Sequence, residues 1–371
     1  MSLRLSSEDH QAFTHSVAGV LSRECDSSAL HAFIDKQAPL DATVWTRGVE
    51  LGWLSAVAPG PWGGLDLGVR GADVLFRELG RRAAPGGLVP TLIASLWLSG
   101  SGGDELQAAM LPAIVAGETV VAIPVGEPST RLRLENGRLS GVAPDMLGWS
   151  TASVAIAPAV TARGEIFVAV RINGVNAQLS FDSLWDRTRQ VGVLRCEAAE
   201  PLGIVDDLDG AAARLMRRLT ALAIAGDSLG GAREAAEQTI SYTKGREQFG
   251  RPVAAFQGLK HRIADVMVEI VASEHLLRYA LDVVEDGGQD ADLWAALAKA
   301  DACEAYERAA EEAVLLHGGV GFTWAFDCHL FLKRARLNEQ LGGDRRRLRD
   351  AAADLLRQAA WSDRSTAEIA T

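Results

Sequence analysis

The chain has 371 residues, 48% of them apolar and 23% charged, with a formal net charge of −11. That length buries a large core across two or three subdomains, and the composition excludes a disordered chain. The acidic balance excludes a general nucleic-acid binder or a coat for anionic membranes, while leaving room for a polyanionic ligand held by a few local arginines.

Residues 6–118 read as helices joined by Gly/Pro loops. Asp73 to Arg82 puts Val74, Leu75, Phe76 and Leu79 on one helical face and stops at Ala83-Ala84-Pro85-Gly86-Gly87. Asp104 to Gly117 reads as a helix capped by Asp104 and ended by Gly117. From 119 to 205 short β-branched runs take over, such as Val120 to Val125, Val154 to Ala157 and Ile166 to Val170, with turn signals like Glu135-Asn136-Gly137 between them. Beyond 206 long helices return, over Asp207 to Gly245, Phe256 to Asp286, Asp290 to His317 and Trp324 to Leu341, and the tail past Arg357 reads as loose. The expected fold class is mainly α with a central β domain: an N-terminal helical domain over 1–118, a small antiparallel β domain over 119–205 and a C-terminal four-helix bundle over 206–371.

Cys25, Cys196, Cys303 and Cys328 stand singly, without a CxxC pair or a His cluster. The expectation is reduced thiols in a cytoplasmic setting, with no disulfide frame and no metal site. Met1-Ser2-Leu3-Arg4 lacks the apolar core of a signal peptide, and Gly or charge interrupts the apolar runs before they could span a bilayer.

Two segments carry chemistry. Tyr242 to Gln257 (YTKGREQFGRPVAAFQ) places a guanidinium, an amide and an aromatic ring at a helix–helix corner, which suits a phosphate beside a flat ring system. His317 to His329 (HGGVGFTWAFDCH) crowds glycines at a helix end, where backbone can approach a ligand closely. A capped helix hairpin and a simple C-cap account for each alone.

At this spacing the pair resembles the signature segments of the acyl-CoA dehydrogenase family, whose usual forms are close to YxxxRxQFGxPIxxFQ and HGGxGFTWEHDxHL. Gly52-Trp53, Gly63-Gly64, Glu78-Leu79-Gly80-Arg81 and Leu111-Pro112 to Gly117-Glu118 follow in family order. The resemblance implies FAD, an acyl-CoA substrate, an electron-transfer flavoprotein as acceptor, and a homo-oligomer (dimer or tetramer) or a heterotetramer with a paralogous subunit. By position, Arg246, Gln248 and Phe249 match residues that hold the pyrophosphate and adenosine of a neighbouring subunit's FAD, and Gln257, Gly318 and Gly319 match further contacts to that flavin. Trp149 and Ser150 fall where members set an aromatic and a hydroxyl against the flavin ring.

The chain departs from the family where the reaction needs a base. An α proton of a thioester is too weakly acidic for water, so a positioned carboxylate must take it. The two usual seats of that carboxylate hold Gly342 and Thr220, and Asp344 replaces a flavin-contacting threonine. Asp227, alone among charged residues between Arg218 and Arg233, remains as a candidate base or as a buried polar contact. The β domain matches only over Gly126-Glu127-Pro128-Ser129, Leu315 stands for a usual glutamine, and Ala325-Phe326 replaces Glu-His. These losses resemble the shortened, base-lacking chains of bacterial heteromeric acyl-CoA dehydrogenases. The expected function is FAD-dependent α,β-dehydrogenation of an acyl-CoA, alone or as one subunit of a pair. The alternatives are a noncatalytic subunit completing a partner's FAD site, and an oxygen-using relative such as an acyl-CoA oxidase or flavin monooxygenase.

Overall fold

The computed structural model describes residues 6–126 and 132–369. Seven helices come first: α1 (Ser7–Glu24), α2 (Ser27–Ile34), α3 (Leu40–Glu50), α4 (Trp53–Val57), α5 (Gly68–Arg81), α6 (Leu88–Ser101) and α7 (Asp104–Val115). Short polar side chains start the first two, since Ser6 accepts the Asp9 N–H and Asp26 accepts the Ala29 N–H. Helix α5 begins earlier than its apolar face predicts, because Glu285 reaches over from another helix to accept the Val69 N–H. Helix α7 starts at Asp104, but Gly103 is its cap residue and no side chain caps it, contrary to the expected Asp104 cap.

Eight strands follow: β1 (Val121–Pro124), β2 (Arg133–Glu135), β3 (Arg138–Gly148), β4 (Val154–Thr161), β5 (Gly164–Arg171), β6 (Ala177–Phe181), β7 (Gln190–Ala199) and β8 (Pro201–Asp206). They form one sheet in the order β6-β7-β3-β1-β4-β5-β8, with β2 beside β3 and β4. The sheet is mixed and not purely antiparallel, because β1 and β2 each pair with β4 in parallel. A strand inserted between β3 and β4 from earlier in the chain must run with one of them.

The C-terminal helices are α8 (Ala211–Gly245), α9 (Gln257–Glu285), α10 (Ala291–His317), α11 (Cys328–Gln340) and α12 (Arg345–Ile369). Asp207 does not begin α8; it caps it from outside, accepting the Ala212 and Ala213 N–H groups. The bundle is tight because α8 lacks bulk where it crosses α5. A Cβ on Gly230 would lie 1.9 Å from the Arg77 carbonyl oxygen, and one on Gly80 would lie 2.1 Å from that of Asp227. Helix α12 replaces the expected loose tail. No helix among the described residues is long and apolar enough to cross a membrane.

The Trp97 indole ties the three parts, donating to the Ala212 carbonyl at 2.9 Å while its ring packs 5.1 Å from Phe167.

Candidate flavin corner and a base-free slot

At the C-terminal end of α8 the chain turns through a two-residue hairpin, Glu247–Gln248 against Arg251–Pro252. Phe249 sits at its tip with φ 55 and is 92% exposed, an unusual cost in strain and apolar exposure. Its ring meets Phe256 edge-on at 6.1 Å, and Arg251 lies 4.0 Å over the Phe256 ring. Arg246, Gln248 and Gln257 are exposed; the Arg246 guanidinium has no hydrogen-bond or ion-pair partner among the described residues, and the Gln248 amide donates to the Glu247 carbonyl at 2.8 Å. Gln257 opens α9, whose first turn holds no acid, so its N–H groups favour an anion.

The glycine turn lies beside this corner. His317, the last residue of α10, is buried and stacks on Tyr242 of α8 at 4.1 Å, and its Nδ1 pairs with the Ala313 carbonyl. Burial holds the His317 imidazole below its usual range, which favours the neutral ring in that stack. Gly318 has φ +67, and a Cβ on Gly318 or Gly319 would meet nothing within 4 Å, so open space adjoins both. The structure therefore sets Arg246, Gln248, Phe249 and Gln257 exposed at one corner, with Gly318 and Gly319 beside it.

Two of the other expected flavin contacts, Trp149 and Asp344, are engaged within the chain. Trp149 is buried, donates from Nε1 to Asp41 at 2.6 Å and stacks on Phe33 at 6.2 Å. Ser150 is exposed in a turn. Asp344 caps α12, accepting the Arg347 N–H at 2.9 Å, and so serves a helix start where the resemblance implied a flavin contact. The match over Glu127-Pro128-Ser129 lies outside the described residues.

The two seats of the missing base do converge. A Cβ on Gly342 would stand 3.5 Å from Thr220, and both residues line a narrow slot between β1, β3, β4, β5 and α8. Neither can take a proton from carbon. The Gly342 N–H donates to the Val125 carbonyl at 2.8 Å, and the fully buried Lys299 ammonium donates to the Gly343 carbonyl at 2.6 Å. These bonds pin the loop against the sheet.

Asp227 faces elsewhere. It is 2% exposed and does not line the slot. Its Oδ2 accepts from Arg189 at 2.5 Å and from Arg334 at 3.1 Å, while Oδ1 accepts from Asn338 at 2.8 Å. Burial alone would raise its carboxyl, but the Arg189 and Arg334 guanidinium groups outweigh that and hold it below the usual range. The same arginines donate to Asp186 and to the carbonyls of Ala83 and Ala84. The expectation of Asp227 as a base therefore meets a geometry that occupies both its oxygens and lowers its basicity. Arg189, Arg334 and Asp41 were not legible as site residues, because each acts through a partner distant in sequence. The only sequence signal was Asp227 itself, an acid in a small-residue helix that required a counter-charge.

The residues present fit one part of FAD and not the other. The exposed corner with its unpaired Arg246 guanidinium suits pyrophosphate and adenosine, whereas Trp149 and Asp344, expected to meet the flavin, are held by this chain's own bonds.

Residues 7–118 match the family model for the acyl-CoA dehydrogenase N-terminal domain, and residues 212–356 match that for the acyl-CoA dehydrogenase C-terminal domain. The chain is 29% identical over 339 residues to acyl-CoA dehydrogenase IpdE2 of Mycobacterium tuberculosis, covering 90% of this chain and 93% of that protein. Among solved structures it is similar to the Tcur3481-Tcur3483 steroid ACAD, at a TM-score of 0.85 and 26% identity over 95% of this chain and 99% of that one. It is also similar to a chain of the ChsE4-ChsE5 complex from Mycobacterium tuberculosis, at a TM-score of 0.85 and 25% identity over 95% and 98% of the two chains. With the mainly helical fold, its central sheet and both signature segments in place, the chain belongs to the acyl-CoA dehydrogenase family, FAD-dependent oxidoreductases acting on CH–CH groups.

Proposed function

We propose that this chain is the supporting subunit of a heteromeric acyl-CoA dehydrogenase. It lends Arg246, Gln248, Phe249, Gln257, Gly318 and Gly319 to an FAD whose ring and catalytic carboxylate belong to a paralogous chain. One observation carries the reading: the corner that would meet a neighbour's flavin is exposed, with the Arg246 guanidinium unpaired among the described residues, while this chain's own slot holds Thr220 and Gly342 where a base is needed. Bound FAD would accept the hydride from the substrate's β carbon. Arg246 and the start of α9 would hold its phosphates, and Phe249 would cover its adenosine face.

Asp227 belongs in this reading to the internal ion cluster and takes no proton from substrate. The complexes among the similar structures support a paralogous partner, and the steroid named for one of them makes a bulky acyl-CoA the first substrate class to try. An electron-transfer flavoprotein as acceptor and a cytoplasmic location, in keeping with four buried free cysteines, complete the proposal. The test is co-purification with a paralogous dehydrogenase chain, followed by flavin content. The wild-type pair is expected to retain FAD, and a pair carrying Arg246→Ala to lose most of it on dilution. Equal flavin in both would sink the assignment.

A further inference from the structure

A second cleft opens between α1, α5 and α9 and shares no lining residue with the slot or the flavin corner. Two contacts set α5 and α9 antiparallel along it: Glu285 accepts the Val69 N–H, and Arg77 approaches Glu274 at 3.9 Å. Buried Val74 and Leu281 give it an apolar wall. Much of the charge around that wall is satisfied within the chain, Arg70 by Asp282 and Arg77 by Asp73 at 2.7 Å.

Two opposite charges are left over. Glu78 of α5 lines the cleft and is only 9% exposed, yet its carboxylate has no hydrogen-bond or ion-pair partner among the described residues. The guanidinium groups near it are engaged elsewhere, Arg81 with Glu234 at 2.9 Å and with Glu237, and Arg82 with Glu234 at 3.4 Å. Burial pushes the Glu78 carboxyl above its usual range, against the pull of Arg81 and Arg82. A buried acid without a partner costs stability and calls for a donor.

Arg278 of α9 lines the same cleft, exposed and also without a hydrogen-bond or ion-pair partner among the described residues. The contacts of Glu285 and Glu274 put it level with Val74, so Glu78 lies one turn further along, about 6 Å. His10 of α1 supplies no second cation. Burial, with Arg77, Arg70 and Arg278, outweighs Asp73 and holds its imidazole below the usual range. An unpaired acid and an unpaired arginine one turn apart, beside an apolar wall, match a small zwitterion with an aliphatic side chain.

We infer that this cleft binds an aliphatic α-amino acid, with its ammonium on Glu78, its carboxylate on the forked donor of Arg278 and its side chain against Val74 and Leu281. The ligand is held and not transformed. Occupancy bridges α5 and α9 and stabilises the folded chain as the ligand concentration rises. The supporting-subunit reading is not needed for this.

The test titrates the purified full-length chain calorimetrically with leucine, with 4-methylpentanoate, which lacks the ammonium, and with 3-methylbutylamine, which lacks the carboxylate. Leucine is expected to bind about tenfold more tightly than either, because each analogue forfeits one charged hydrogen bond. Arg278→Met, at an exposed position, should erase the advantage over 3-methylbutylamine and leave the amine's own affinity unchanged. Glu78→Gln, which keeps the shape, should erase the advantage over 4-methylpentanoate. Each comparison is made within one variant, so a general loss of stability does not mimic the pattern. Should Glu78→Gln fail to fold, the two analogues and the arginine variant still decide. No binding by leucine, equal binding by either analogue, or leucine binding that ignores Arg278→Met would each overturn the inference. Flavin content and flavin reduction enter none of these readouts, so the supporting-subunit reading stands or falls separately.

Discussion

Asp186, Asp227, Arg189 and Arg334 are all buried at one point and meet in a cluster that also holds the carbonyls of Ala83 and Ala84. The two acids balance the two arginines, and the charged members come from three separate stretches of the chain, at 186–189, 227 and 334. Such a cluster adds little over a well-packed apolar one, but removing one member strands the others. Asp227→Asn should therefore cost about 3 kcal/mol of stability at neutral pH, measured by chemical denaturation. Because the folded carboxyl is held below its unfolded value, its contribution is fully present above about pH 4 and is lost as pH falls further. The gap between wild type and Asp227→Asn should thus narrow in acid; a gap independent of pH would refute the ionised cluster. Arg246 belongs to the same scale with the opposite character, exposed and unpaired. Charged hydrogen bonds to phosphate are worth about 1.5–3 kcal/mol, so Arg246→Ala should weaken FAD binding by the complex roughly 10- to 100-fold in a fluorescence titration. The corner residues were legible in sequence because they form contiguous motifs. The cluster was not, because only its acid stood out in its own segment.

Helix α8 organises the elements. It runs 35 residues from the slot to the flavin corner, so the two candidate sites sit along one rigid rod. Its glycines let α5 pack backbone to backbone, and Gly230→Ala would drive a methyl into the Arg77 carbonyl. Overpacking of this kind costs about 1–3 kcal/mol, to be read as a lower denaturation midpoint with an unchanged slope. An unchanged midpoint would mean the helices separate freely. The long helices were legible from apolar spacing and Gly/Pro punctuation, with ends displaced where a cap acts across sequence, as Asp207 does on α8 and Glu285 on α5. The parallel pairings of β1 and β2 with β4 were not legible, since strand composition carries no direction. Helix α12 was not legible: no element is assigned from sequence after Leu341, and the tail past Arg357 reads as loose. Arg345 instead pairs with Glu307, and Arg349 with Asp301, on α10.

For the whole molecule, the account is one of two ends with different fates. The end bearing Arg246, Phe249 and the glycine turn is exposed, and the slot bearing Gly342 and Thr220 is lined by no carboxylate among the described residues. On the reading proposed above, such a chain works only in company. The most direct test is an anaerobic visible spectrum of the purified chain with FAD supplied, before and after acyl-CoA thioesters of increasing bulk, alone and then with a paralogous chain. The account predicts a flavin that stays oxidised with the chain alone and bleaches once the partner is present. Bleaching by the chain alone would contradict it, because the base would then have to lie within this sequence.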